Sequence, residues 1–303
     1  MATTSSDILG LLACPETRRP LRLDGDQLVA DGPGEHRYPI EEGFPVLVWS
    51  SEDPVAKAVV EAFRSRSTTY FADNYGLGQN ADRAARQQRV TQLLGQLVHP
   101  GAAVLEAGAG PAVLADALAA NTGRYVALDL SLENLVAARR RIGEFAGVVG
   151  DLAALPVRDE AFDGTVAIGC LEYVQNMEAA VAELCRVTAP GGFILASFAS
   201  SESPRRWWDE GVVHRASRVR QRARGRGRSV YERQLTSRAR AGHLFLRGGA
   251  LVERIEPLNP GLIGYPLSGS ARVRQAEQRL ARRFEPVRAR ASELLVLARK
   301  PGD

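Results

Sequence analysis

The chain has 303 residues, enough for one large domain and a small one, since domains typically span ~100–200 residues. With 45% apolar residues, 24% charged residues and few aromatics, the composition is that of a folded globular protein and excludes a disordered or fibrous one. The formal charge of +4 is too small to specify a nucleic-acid partner, although twelve arginines fall between Arg205 and Arg240 against only Asp209, Glu210 and Glu232. Lys57 and Lys300 are the only lysines, so coding bias accounts for the arginine excess as well as phosphate contacts would.

Met1 to Cys14 shows no basic start followed by an apolar run, and no window offers the ~18 uninterrupted apolar residues of a membrane helix. A cytoplasmic location with no membrane span is expected. Cys14, Cys170 and Cys185 are odd in number and far apart, which fits a reducing compartment.

Residues 1–50 predict a small β-rich domain, with strands at 21–23, 27–29 and 46–48 separated by the turn residues Asp24-Gly25 and Gly32-Pro33-Gly34. A unit of that size has little stability alone. The stretch Leu11-Leu12-Ala13-Cys14-Pro15, followed by Tyr38-Pro39-Ile40-Glu41-Glu42-Gly43-Phe44-Pro45-Val46-Leu47, resembles the small zinc-binding domain of the tRNA-methyltransferase activator family. That family carries a Cys-Pro-x-Cys pair and a later cysteine. Here Thr17 stands in the second cysteine's place and Ala30 where a later one is expected, so no four-ligand zinc site can assemble and a metal-free remnant is expected.

Residues 51–99 predict a helical linker or lid, with apolar positions at helical spacing over 52–66 (Val55, Val59, Phe63) and 81–98 (Val90, Leu93, Leu94, Leu97). Tyr70 and Tyr75 lie between the two helices, placed either to pack against the next domain or to cover a ligand. From residue 100 onward, β-like runs alternate with helical ones, the signature of an α/β domain with a mainly parallel sheet. Strands are predicted near 103–106, 125–128, 147–149, 164–168, 193–198, 251–255 and 294–298, a seven-stranded sheet within a domain spanning 100–303. Residues 201–242, rich in Ser, Arg, Trp and Gly, break the alternation and predict a cap inserted between the fifth and sixth strands.

The first of these strands ends in Val104-Leu105-Glu106-Ala107-Gly108-Ala109-Gly110-Pro111, and a helical pattern follows over 113–118. Glycines at such a turn let the backbone approach a ligand, and the next helix offers amide groups. Asp129 closes the second strand, nineteen residues after Gly110, where a carboxylate can accept two ribose hydroxyls; Ser131 is available to cap the following helix in its place. Gly150-Asp151-Leu152 sets a second acid at the same sheet edge. A dinucleotide fingerprint would need glycine at position 113, and the chain has Val113.

The ordered set Glu-x-Gly-x-Gly, Asp at the second strand, Gly-Asp, Leu155-Pro156 leading to Phe162-Asp163, and Arg186-Val187 with Pro190-Gly191-Gly192 resembles the class I S-adenosylmethionine-dependent methyltransferases over about residues 100–200. The resemblance implies a Rossmann-like sheet and S-adenosylmethionine as cofactor. It places Gly108 and Gly110 at the methionine portion, Asp129 with the adjoining Leu130 at the ribose, and Asp151 with Leu152 at adenine. Gly169, Cys170 and Leu171 would border the sulfonium, and Glu106 would orient the loop or the cofactor's amino group. Ala112 stands where the family often has a further glycine; alanine there still permits close packing.

A sulfonium methyl is already activated, so alignment of the acceptor supplies much of the rate, on the order of 7–11 kcal/mol. An acceptor that must lose a proton also needs a base, and the candidates are His214 in the cap and Tyr173 after the fourth strand. Arg233-Gln234-Leu235, a helix to about residue 245 and Gly248-Gly249-Ala250-Leu251-Val252 resemble the small-molecule branch of the superfamily, such as the ubiquinone and menaquinone biosynthesis enzymes. O- or N-methylation of a metabolite, lipid intermediate or secondary product is therefore expected. The alternatives are ribosomal or transfer RNA methylation, suggested by the N-terminal module and the arginine run, and a non-catalytic partner that keeps the fold. Both the cap and the N-terminal unit could supply a homo-oligomer interface.

Overall fold

The computed structural model describes residues 5–32, 34, 36–48, 81–119, 122–208, 233–263 and 270–302. Tyr70, Tyr75, His214 and the helix expected at 52–66 lie outside these residues, as does most of the 201–242 insertion.

The N-terminal unit opens with a 3-10 helix, Ser5–Leu11, and continues as an antiparallel sheet in the order β1 (Leu21–Asp24), β2 (Gln27–Ala30), β3 (Arg37–Glu41) and β4 (Phe44–Pro45). The unit differs from the sequence expectation at two strands. Proline has no N–H for a ladder, which hides β3 in the sequence, yet Pro39 sits exposed in β3 and uses its carbonyl, accepting from Val46 N–H at 2.9 Å. In place of the strand expected at 46–48 the structure has β4 at Phe44–Pro45, and Val46 forms a parallel bridge with Val149 of the main sheet. The cysteine of the activator-like motif is spoken for: Cys14 Sγ lies 3.1 Å from the Tyr38 hydroxyl and accepts Thr17 N–H at 3.4 Å. Burial raises the Cys14 pKa, but the hydrogen bonds from Thr17 and Tyr38 outweigh it and leave the thiol below its usual range.

After α1 (Ala81–Leu97), the chain alternates β5 (Ala103–Ala107), α2 (Ala115–Ala119), β6 (Arg124–Asp129), α3 (Leu132–Ile142), β7 (Ala146–Val149), β8 (Phe162–Ala167), α4 (Met177–Val187) and β9 (Thr188–Ala199). There follow α5 (Pro204–Trp208), α6 (Arg238–Arg247), β10 (Leu251–Pro260), α7 (Ala271–Arg283), α8 (Glu285–Ala289) and β11 (Ala291–Arg299). The seven-stranded sheet runs β10-β11-β9-β8-β5-β6-β7, parallel except for β11, which is antiparallel to both neighbours. Helices α7 and α8 had no counterpart in the sequence reading: their faces are dominated by arginine, and Leu280 and Phe284 remain exposed. No helix among the described residues is long and apolar enough to cross a membrane.

Alternation along each strand sends side chains to two cores. Leu105, Ala107, Leu128, Val148 and Phe198 cluster with Val181, Leu184, Leu244 and Phe245 of α4 and α6, whereas Val104, Ala127, Val149 and Val166 cluster with Val90, Leu93, Leu118 and Leu135 of α1 to α3. The N-terminal unit joins both. Leu12, Leu28, Tyr38 and Leu47 belong to the first cluster and Phe44 to the second. Leu47 N–H donates to Val149 carbonyl at 2.8 Å, Ala13 N–H to Pro156 carbonyl at 3.1 Å and Arg158 N–H to Leu11 carbonyl at 2.9 Å, so the unit covers the open edge at β7.

Phe44 is the test of that docking. Its ring fills the space a Cβ at Gly147 would occupy, 2.5 Å from Cε1, and lies 5.7 Å from the Phe145 ring with the Arg139 guanidinium 5.0 Å above it. Phe44→Ala is expected to lower unfolding free energy by about 3–5 kcal/mol in urea titrations. A loss under about 1 kcal/mol would mean that the N-terminal unit contributes little to the fold.

Candidate functional site

In this sheet the chain order reverses beside β5: β6 and β7 lie on one side of it and β8 on the other. Open α/β sheets bind ligands at such a switch point, outside the carboxyl ends of the strands. The loops leaving β5 and β8 meet there. A Cβ on Gly108 would stand 2.6 Å from Cys170 Cβ and 3.8 Å from Leu152 Cδ1, and Cys170 Sγ donates to Ala107 carbonyl at 3.4 Å. Three of the expected ligand segments, at 108, 152 and 170, are thereby brought into contact.

The glycine turn is held from the side of β6. Gly108 and Ala109 N–H both donate to Leu128 carbonyl, at 2.8 and 2.9 Å, and Gly110 N–H donates to Asp129 Oδ2 at 2.7 Å. Arg141 Nη2 binds the carbonyls of Pro111 and Ala112. Gly108 and Gly110 have φ of 71° and 52°, the left-handed region that glycine tolerates. Ala112 has φ 51° as well, so its substitution for glycine is not merely a matter of packing space: the left-handed backbone costs about 1–2 kcal/mol for a residue with a Cβ. In front of Gly110 the space is open.

Ser131 does cap α3, accepting Asn134 N–H at 3.3 Å, but Asp129 is not left idle. Its Oδ1 accepts Ser131 N–H at 2.9 Å and Asn134 Nδ2 at 3.1 Å. Burial raises the Asp129 pKa, and the hydrogen bonds from Ser131, Asn134 and Gly110 act the other way. Leu130 follows directly, at the start of the turn into α3. Asp151 accepts Ala153 N–H at 2.8 Å and is half-buried, with Leu152 buried beside it.

Glu106 is buried and accepts a short hydrogen bond from the Tyr125 hydroxyl of β6. Burial drives its carboxyl up to about 7; Tyr125 and Arg141 oppose that shift and the Asp129 charge adds to it. Tyr125 itself is pushed well up, by burial first and then by Glu106.

On the β8 side, Gly169 N–H donates to Ser197 hydroxyl at 2.9 Å, and the Arg86 guanidinium of α1 lies over Gly169. Arg86 is paired with Glu293 of β11 at 2.7 Å. Leu171 is fully buried in the 3-10 turn Leu171–Tyr173. Tyr173 hydroxyl accepts Arg233 Nε at 2.8 Å, with the guanidinium 5.3 Å over the ring; burial raises its pKa against the Arg233 charge. Between these two residues Glu172 is buried with Oε2 lacking any hydrogen-bond partner. The residues that pattern reading missed here are Arg86, Glu172 and Arg206, whose Nε donates to Ser292 carbonyl at 3.2 Å; Arg233 was singled out only as part of a motif. Only Glu172 carried a signal, a charge inside the otherwise apolar turn that follows a buried strand. Among the described residues no group of three His, Cys, Asp or Glu side chains is placed to hold a metal.

Residues 105–196 match the model of a methyltransferase domain, and the core of the chain carries that domain. Malonyl-[acyl-carrier protein] O-methyltransferase of Serratia marcescens is 35% identical over 152 residues, 49% of this chain and 55% of that protein. Demethylmenaquinone methyltransferase of Mycobacterium sp. (strain KMS) is 36% identical over 135 residues, 44% of this chain and 56% of that protein. The chain thus matches about half the length of these curated relatives. Among solved structures, Burkholderia thailandensis 1,6-didemethyltoxoflavin-N1-methyltransferase, with bound 1,6-didemethyltoxoflavin and S-adenosylhomocysteine, superposes with a TM-score of 0.51 at 18% identity, covering 93% of this chain and 99% of that one. That likeness is one of fold.

The environment of Glu106 gives a pH test. Its folded pKa of about 7 stands above the ordinary 4.5, so the folded state binds the proton more tightly than the unfolded one. Stability from this group is fully present below pH ~4.5 and is lost as pH rises through ~7, by about 3 kcal/mol in total. Urea midpoints measured from pH 4.5 to 8 are expected to fall less steeply in Glu106→Gln. An identical slope in both proteins would show that Glu106 does not hold its proton in this range.

Proposed function

We propose that this chain, whose core carries a methyltransferase domain, transfers the methyl group of S-adenosylmethionine to an oxygen or nitrogen atom of a small-molecule acceptor. The observation that carries this reading is the charge of the switch-point crevice. Glu106, Asp129, Asp151 and Glu172 all lie at the carboxyl edge of the sheet, in the elements that converge on Gly108 and Cys170. Carboxylates in such a place suit a ligand carrying an ammonium and a sulfonium. The fit extends to shape, since the open space lies in front of Gly110, whose own N–H is fixed by Asp129.

On this reading Gly108 and Gly110 admit the methionine portion, and Glu106 faces its amino group. Asp129 and Leu130 border the ribose, Asp151 and Leu152 the adenine, and Cys170 and Leu171 the sulfonium side. When bound, the cofactor supplies a methyl group on a neutral leaving thioether. What the chain adds is alignment and exclusion of water. Arg86, lying over Gly169, and Arg233, clamped on Tyr173, close the crevice from α1 and from the segment before α6. Tyr173 would border the acceptor, and Tyr70, Tyr75 and His214 lie outside the described residues. The names of the curated relatives, one acting on a malonyl carrier and one on demethylmenaquinone, support such an acceptor over RNA.

Residues 1–50 are read as a metal-free relative of the methyltransferase-activator domain, a reading supported by the motifs at Leu11 to Pro15 and Tyr38 to Leu47.

Calorimetric titration with S-adenosylmethionine and S-adenosylhomocysteine is expected to give micromolar binding to the unmodified protein. Gly108→Ala, which sets a Cβ against Cys170 on a left-handed backbone, and Asp129→Ala are each expected to weaken binding at least tenfold. Mass spectrometry of a metabolite extract incubated with S-adenosylmethionine should then reveal an acceptor heavier by one methylene. Absence of binding by the unmodified protein would overturn the proposal.

A further inference from the structure

Glu172 stands out because its surroundings leave it unsatisfied. It is 7% exposed, and Oε2 has no hydrogen-bond partner. Three arginines surround it electrostatically, yet each is committed to another group. Arg86 of α1 binds Glu293 of β11 at 2.7 Å, Arg233 binds the Tyr173 hydroxyl at 2.8 Å, and Arg206 of α5 gives Nε to Ser292 carbonyl at 3.2 Å. The backbone around Glu172 is equally fixed, with its own carbonyl accepting Gln234 N–H at 2.9 Å. An orphaned buried carboxylate oxygen costs ~1–3 kcal/mol or more, a penalty that a ligand's donor can remove.

Its position says which donor. Glu172 lies two residues beyond Cys170, the residue that presses on Gly108, and its charge acts directly on the Cys170 thiol. It therefore lies in the turn that leaves β8, across the sheet edge from the segments that follow β6 and β7. Resting on the methyl-transfer reading above, we infer that Glu172 is the catalytic base: its Oε2 meets the O–H or N–H of a protic acceptor and takes its proton. The acceptor's lone pair forms the new bond to the methyl carbon, the carbon–sulfur bonding pair stays on sulfur, and the acceptor's proton passes to Oε2. The substrate class is accordingly an alcohol, phenol or amine, not a carboxylate that is already ionised. Burial and the neighbouring Glu293 raise the Glu172 pKa while Arg233, Arg86 and Arg206 lower it, and the balance is upward.

The test uses two ligands that differ only at the sulfur. Calorimetry between pH 5 and 7, in two buffers of different ionisation enthalpy, counts the protons released when each binds. The sulfonium charge should drive a proton from Glu172, so S-adenosylmethionine is expected to release a larger fraction of a proton than neutral S-adenosylhomocysteine. Glu106 contributes equally to both, because the amino-acid part is the same. In Glu172→Gln the difference should vanish, and in Glu172→Asp part of it should remain. With the acceptor from the mass-spectrometric screen, Glu172→Gln should lower kcat at least tenfold with acceptor KM within about twofold, and remove the acid limb of the pH profile. Because the carboxylate is unsatisfied, Glu172→Gln should melt no lower than the unmodified protein. Equal proton release by the two ligands, a difference that survives Glu172→Gln, or a lower melting temperature would overturn the inference while leaving methyl transfer standing. Failure of both ligands to bind would instead remove the methyl-transfer reading, and the inference with it.

Discussion

The bond from Gly110 N–H to Asp129 Oδ2 joins the ends of two adjacent strands, and the rest of the crevice is arranged around it. A carboxylate accepting backbone N–H groups in a buried setting forms strong, short hydrogen bonds, because little water competes for either partner. Asp129 takes one such bond from the turn after β5 and another from Ser131 at the start of α3, so neither loop can move without unsatisfying it. Leu128 carbonyl and the Arg141 guanidinium hold the same turn from two further sides. The left-handed backbone of Ala112, strained for a residue with a Cβ, persists because these contacts over-determine it.

The N-terminal unit bears on the same constraint from farther away. Strand β7 would be an open edge were it not for Val46 and Leu47, and an open edge frays. Val149, the strand's last residue, pairs with Asp129 in register on one side and with Val46 on the other. Asp151 and Leu152 follow at once. The small N-terminal unit thus shares both clusters of the main sheet, and in return covers the strand whose end carries the second acidic segment.

How much of this was legible in sequence follows from what periodicity and motif can report. Strands β5 to β9 each present a buried apolar run, and the glycines at 108 and 110 stand where a strand gives way to a turn, so the sheet and the glycine turn could be read directly. Pro39 concealed β3, because a missing N–H argues against a strand unless the residue faces outward. The role of Asp129 was only half visible: Ser131 is the helix cap, as the pattern suggests, but the freed carboxylate turns to Gly110 and Asn134 within the protein. Arg86, Arg206, Arg233 and Glu293 lie far apart in sequence and meet only in the folded chain. No local spacing marks them, since their contact depends on how α1, α5 and β11 pack over the ends of β8 and β9.

That packing divides the crevice into two chemically unlike halves. On the β6 and β7 side, Asp129 and Asp151 already have backbone donors, so these carboxylates are fixed by the chain itself. On the β8 side, Glu172 is buried with Oε2 unpartnered, while Arg86, Arg233 and Arg206 bind Glu293, Tyr173 and Ser292. Had any of those three arginines swung onto Glu172, the carboxylate would be stabilised in its charged form and a poor acceptor of protons. Keeping each cation occupied elsewhere preserves its basicity at some cost in stability, which is the arrangement a proton-transfer site requires and a purely structural one has no reason to keep.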